Sequence, residues 1–260
     1  MDGLSPVTST VDSASHARQA PRADATRALL AVDGLGKAYG DQVALADISF
    51  TVEAGEIVGL IGPNGAGKTT LLEALAGLLP VDKGRVNSRG KMLPAARRRD
   101  VMFYVPDGIR PYRDQAVVHV LSFFAGVYRR PDAALAELIA ATGLAPVLGK
   151  RVHALSKGFG RRLLLALGLL APHDLVLMDE PFDGFDLRQT RSIAGLLRAE
   201  AKKGRTLLLA IHQLSDAERV CDRFILLSAG RLRGVGTLAE LRARTGLAAG
   251  SLEDIFLALT

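Results

Sequence analysis

Residues 62–70 read GPNGAGKTT, directly after the short apolar run 56–61 and at the start of a helix-forming stretch, 68–79. Gly62, Gly67, Lys68 and Thr69 meet the pattern GxxxxGK[ST], and Gly65 adds freedom inside the loop. A backbone that turns its N–H groups inward around phosphate needs conformations that a Cβ obstructs, so glycine recurs in such loops. The helix that follows offers its positive end to the anion. The segment Gly62, Pro63, Asn64, Gly65, Ala66, Gly67, Lys68, Thr69 and Thr70 is therefore read as a nucleotide-phosphate loop. Lys68 is expected to reach the β and γ phosphates and Thr70 to touch phosphate, while the Thr69 hydroxyl offers Mg²⁺ a hard oxygen ligand. Strand, loop and helix in this order place the motif in an α/β fold.

Outward from the loop, strand-like and helix-like segments alternate, as in an α/β domain with a mostly parallel central sheet. Residues 29–32 and 48–52 are expected as strands of a small antiparallel β layer, parted by the turn-rich GLGKAYGDQ. Residues 101–105, 175–178 and 206–211 read as further strands, the last two as central parallel strands covered on both faces. From about 108 to 172 the pattern is helical and punctuated by Pro111, Pro131 and Pro146, which predicts a helical subdomain. An amphipathic helix is expected over 187–203, a hairpin over 223–235 and two short helices at about 237–244 and 252–259. These expectations set a domain at 28–245 and a C-terminal helical extension at 246–260, after a disordered N-terminal tail at 1–27 rich in Ser, Thr, Ala and Pro.

The 260 residues are 48% hydrophobic, enough for a sizeable core. A balance of 33 basic against 27 acidic residues gives a net charge of +6, which suits a nucleotide, an anionic membrane surface or a nucleic acid without choosing among them. One cysteine, Cys221, excludes an internal disulfide and reads as a small buried apolar residue in a reducing compartment. The longest apolar run, 163–171, falls far short of the roughly 20 residues of a membrane span, so a role at a membrane would need another chain. The first 27 residues lack the apolar block of a secretory signal, and a cytoplasmic location is expected. Arg97, Arg98 and Arg99 are expected as a solvated basic face and not as a nucleic-acid site.

Asp179 and Glu180 lie side by side in MDEP at the end of an apolar strand, the edge where open α/β sheets bind ligands. One carboxylate can hold Mg²⁺ through water while the other polarises the attacking water, with Lys68 and the metal offsetting their repulsion.

With these motifs in order, the sequence resembles the ATP-binding subunits of ABC transporters over about residues 29–240. The resemblance implies a P-loop NTPase of ABC ATPase type that binds ATP and Mg²⁺. It implies that Tyr39 stacks on adenine, that Glu180 is the catalytic base and that His212 is the switch histidine assisting it. LSKGFGRR (155–162) is similar to the family signature, in which Ser156, Lys157 and Gly158 would contact ATP held by a second ATPase subunit, an identical or a sister chain. GFD (184–186) is similar to the D-loop, ending at Asp186. Ser156 also suits a plain helix N-cap.

Two departures stand out. Asp107 occupies the Q-loop position where the family carries glutamine; it is a possible metal ligand, but it adds negative charge beside Asp179 and Glu180. Phe159 replaces the signature glutamine, while Lys157 fits the Ser-Lys-Gly form of exporters, as does the ending SLEDIFLALT. The resemblance thus implies an exporter ATPase that is peripheral on the cytoplasmic face, works with a separate transmembrane permease and needs no nucleic acid. The alternatives are a soluble cassette acting on ribosomes or nucleic acid, and a degenerate cassette that binds ATP without turnover.

Overall fold

The computed structural model describes residues 28–260, and the tail expected over 1–27 lies outside the described residues. Strands β1 (Leu30–Tyr39) and β2 (Gln42–Val52) form a long antiparallel ribbon that closes at Gly40 and Asp41. The turn expected across GLGKAYGDQ is therefore corrected: most of it is strand. Gly34, with φ 62, sits where the register shifts between Val32 and Leu35, so this glycine marks a bulge and not a chain reversal.

Strand β3 (Ile57–Ile61) is buried along its whole length and feeds α1 (Lys68–Ala76). That helix stops short of residue 79 because Gly77 adopts a left-handed φ of 77 and closes it. Strands β4 (Lys83–Ser88) and β5 (Lys91–Met92) were not foreseen; β4 completes the antiparallel layer beside β1, but KGRVNS buries only Val86 and has little apolar alternation to read. In the 3₁₀ turn Ala95–Asp100, Arg97 and Arg99 are exposed, whereas Arg98 is buried and donates to the carbonyls of Ala74 and Leu93. The expected three-arginine face is thus two surface arginines and one that satisfies a carbonyl at the C-terminal end of α1.

After β6 (Met102–Val105) come α2 (Val117–Val127), α3 (Asp132–Thr142) and α4 (Lys157–Leu170). The chain continues through β7 (Leu175–Asp179), α5 (Leu187–Lys202), β8 (Thr206–Ile211), α6 (Leu214–Val220), β9 (Arg223–Ser228) and β10 (Arg231–Gly236) to α7 (Leu238–Thr245) and α8 (Leu252–Leu259). The larger sheet runs β10-β9-β3-β8-β7-β6, parallel except for β10. Strands β3, β7 and β8 are covered on both faces, which is why they read as unbroken apolar runs.

Helix α4 joins two cores. Leu163, Ala166, Leu167 and Leu170 pack among α2 and α3, while Leu164, Leu165 and Leu169 share a core with Val105, Val176 and Met178 of the sheet. Each fully buried leucine contributes roughly 1.5–3 kcal/mol, so the second half of α4 is held firmly against the sheet. Leu252 and Ile255 of α8 belong to the same sheet-side core. Cys221 is buried, and burial pushes its thiol pKa up. Among the described residues no helix is long and apolar enough to cross a membrane.

Candidate active site

Four neighbouring parallel strands deliver the site. The phosphate loop leaves the carboxyl end of β3, His212 follows β8, Asp179 and Glu180 end β7, and Asp107 follows β6. In-register pairing of Ile61 with Ile211, of Asp179 with Ala210 and of Val105 with Met178 brings these ends together at one sheet edge.

The loop's shape depends on its glycines. At Gly62 a Cβ would fall 2.2 Å from the Leu227 carbonyl oxygen, and at Gly67, where φ is 102, it would fall 2.7 Å from that of Ala44. Gly67→Ala is therefore expected to lower stability by roughly 1–3 kcal/mol, read as a lower urea midpoint with an unchanged slope. Helix α1 carries no acidic residue in its first turn, so nothing on that turn competes with an anion. The buried Lys68 ammonium spans the loop, donating to the carbonyls of Gly62 (2.8 Å) and Pro63 (3.3 Å), and lies 4.0 Å from a Glu180 oxygen.

The Thr69 hydroxyl donates to Asp179 at 2.6 Å. Burial pushes the Asp179 carboxyl above its ordinary range, and the Thr69 hydrogen bond opposes this. Glu180 faces His212, whose Nδ1 lies 2.5 Å from a carboxylate oxygen. A carboxylate accepts, so Nδ1 carries the hydrogen and Nε2 is left for another partner. Loop, acids and Tyr39 line one open cleft of about 810 Å³, with Asn64, Gly65, Thr70 and Asp107 on its wall. That size suits a nucleotide. Tyr39 is half exposed and has the Lys37 ammonium 5.4 Å from its ring centroid.

The signature segment lies elsewhere: none of Ser156, Lys157 and Gly158 lines that cleft. Ser156 caps α4, its hydroxyl accepting from Phe159 N at 3.4 Å. Lys157 is ion-paired to Asp183 at 2.7 Å, which holds the Asp183 carboxyl below its usual range, and its stem packs on Gly184. Asp186 caps α5, accepting from Gln189 N at 2.8 Å. Phe159 lies under the Arg162 guanidinium, which also covers Phe185.

Sequence reasoning missed Arg161 and Asp183. Arg161 is 5% exposed, bonds the Asp107 carboxylate, donates to the Asp179 carbonyl at 3.3 Å and lies 3.6 Å from Asp183. A signal existed: Arg161 stands three and four residues before Leu164 and Leu165, on the sheet-facing stripe of α4, where a charge demands partners. Asp107, expected to add negative charge beside Asp179 and Glu180, also has the Arg161 guanidinium beside it. Tyr104 also lines the cleft with a buried hydroxyl that has no hydrogen-bond partner among the described residues, and burial raises its pKa with help from the nearby Asp179.

The chain is similar to known proteins in sequence and fold. Residues 45–183 match the family described as ABC transporter. Nod factor export ATP-binding protein I of Rhizobium etli is 35% identical over 221 residues, covering 82% of this chain and 70% of the relative. ABC-type transporter ATP-binding protein EcsA of Bacillus subtilis is 33% identical over 243 residues, covering 89% of this chain and 96% of that one. A solved structure described as the ATP binding subunit of an ABC transporter superposes with a TM-score of 0.80 at 32% identity, covering 89% of this chain and 99% of the other. With a phosphate loop, paired carboxylates and a histidine gathered at one sheet edge, this chain belongs to the ABC transporter family, as an ATP-binding subunit with ATPase activity.

Proposed function

We propose that the chain hydrolyses ATP in the cleft at the carboxyl edge of its parallel sheet, that two copies complete each other's sites, and that the pair drives export through a separate permease at the cytoplasmic face of a membrane. The observation that carries the composite site is the separation just described: the cleft holds the phosphate loop, Asp179 and Glu180, but no signature residue. One chain carries one loop and one signature, so a two-fold pair of identical chains yields two complete sites.

Within a site, Lys68 and the backbone of Gly65 to Thr70 hold the phosphates, and Tyr39 offers adenine a ring face. The hydroxyl of Thr69 and the Asp179 carboxylate are hard oxygens within 2.6 Å of each other, a donor set that fits Mg²⁺, which keeps few protein ligands and takes the rest from phosphate and water. When bound, Mg²⁺ supplies positive charge to the phosphates. Glu180 takes a proton from the water that attacks the γ-phosphorus as the bond to ADP breaks, and His212 holds the carboxylate in place. From the partner, Ser156 and the start of α4 face the γ-phosphate.

A permease has a seat beside the helical subdomain. Tyr112, Gln115, His119, Val120 and Phe123 line a groove of about 250 Å³, with Tyr112 and Phe123 about half exposed and their ring centroids 5.6 Å apart. Phe123→Asp is expected to abolish co-purification with a six-span membrane protein while ATP binding stays unchanged; retention of the membrane protein on the variant would remove this seat. The export direction is supported by the Nod factor export relatives and by the Ser-Lys-Gly signature. Medium from cells with the wild-type chain should contain a compound absent when Glu180→Gln replaces it. A compound left in the medium only by the variant would mean import.

A further inference from the structure

We propose that Arg161 is a positioning residue for hydrolysis, holding the Asp179–Glu180 peptide so that the Glu180 carboxylate faces the attacking water, and that Asp107 is the counterion of Arg161 and not a metal ligand. The inference rests on Glu180 as the general base.

Glu180 has a φ of 49, a left-handed conformation that residues other than glycine adopt uncommonly and that persists only where its surroundings enforce it. Here the peptide unit before it is gripped at both ends. Its N–H donates to the Ala210 carbonyl on β8 at 3.0 Å, and its carbonyl, that of Asp179, accepts from Arg161 Nη1 at 3.3 Å. One contact comes from the next strand and the other from the helix that packs over the sheet. Together they fix the plane of the peptide, and with it the direction in which the Glu180 side chain leaves the backbone, toward His212 and Lys68.

Arg161 can hold that carbonyl only if its own charge is satisfied, because a buried guanidinium without a counterion is strongly unfavourable. Asp107 supplies the counterion: the Nη2 end of the rigid guanidinium fork meets its carboxylate while the Nη1 end meets the carbonyl. Asp183 is the next carboxylate out, at 3.6 Å, and it is already paired with Lys157 at 2.7 Å. Drawing Asp107 onto a metal would leave Arg161 with Asp183 as its remaining carboxylate. The aspartate at the Q-loop position and the arginine in the signature helix therefore act as one unit, gripping the end of β7 between β6 and α4.

The test measures steady-state ATPase kinetics and the half-saturating Mg²⁺ concentration for Arg161→Met, Asp107→Asn, the double variant and Glu180→Gln in the full chain, with circular dichroism to check folding. Arg161→Met is expected to lower kcat about 30-fold and Asp107→Asn about 5-fold, with the KM for ATP and the Mg²⁺ requirement within about twofold of wild type. The double variant should be no slower than Arg161→Met, because the two residues form one unit. A rise of about tenfold in the Mg²⁺ requirement of Asp107→Asn would overturn the counterion role, as would multiplied losses in the double variant. An inactive Glu180→Gln beside a fully active Arg161→Met overturns the positioning role and leaves the base intact, whereas a fully active Glu180→Gln overturns both. Asp107 is half exposed and asparagine keeps an oxygen that accepts from Arg161, so Asp107→Asn is the second variant should Arg161→Met fail to fold, and an unchanged kcat in that variant alone is fatal to the proposal.

Discussion

Glu180→Gln is expected to lower steady-state ATP hydrolysis by about 10³-fold while leaving ATP affinity within about threefold of wild type. The amide keeps the size of the side chain but cannot take a proton from water. Binding persists because the contacts expected to hold the phosphates come from the loop and Lys68, on β3 and α1, and not from the end of β7. The measurements are phosphate release and equilibrium binding of a fluorescent ATP analogue. A variant that turns over at the wild-type rate would show that the proton leaves by another route, and one that loses binding would show that the carboxylate helps to shape the loop.

Lys68→Ala is expected to do the opposite, removing binding together with turnover. Its ammonium is buried within the loop, bonded to two of the loop's own carbonyls and 4.0 Å from Glu180. Deleting it leaves those carbonyls without their donor and removes the positive charge aimed at the phosphates. A loss of kcat/KM on the order of 10²–10³ follows, about 3–4 kcal/mol, with much of it in ATP affinity. Lys68→Arg should recover little, since a planar fork cannot sit where a compact ammonium bridges two carbonyls. Titration of both variants with the same analogue separates a lysine that binds phosphate from one that only braces the loop.

Much of this site could be read from the chain because its residues are consecutive and chemically restrictive. Nine residues from Gly62 to Thr70 prescribe a loop that few other sequences could form, and Asp179 with Glu180 ends an apolar run that only a central strand accounts for. The order of strands along the sheet was not legible, since it arises from pairings between distant segments: β3 lies between β8 and β9, which begin 149 and 166 residues after it. The antiparallel layer was read only in part. Gly34 looked like a turn because a bulge and a turn ask the same of glycine, and β4 is too polar to announce itself. Asp107 was visible as a departure, but its partner was not, because 54 residues separate it from Arg161 and no local period links them. The plain structural roles of Ser156 and Asp186 as helix caps stand in the structure regardless of what a second subunit adds.

The division of the site between two chains is tested most directly by mixing two inactive proteins. Ser156→Arg spoils the signature but keeps Glu180, and Glu180→Gln spoils the base but keeps the signature. Each alone should hydrolyse ATP at less than about a hundredth of the wild-type rate. Mixed in equal amounts, they form some pairs in which the intact Glu180 of one chain faces the intact Ser156 of the other, and phosphate release is expected to return to about a tenth of wild type or more. A mixture as inactive as its two components would contradict a site shared between copies of this chain.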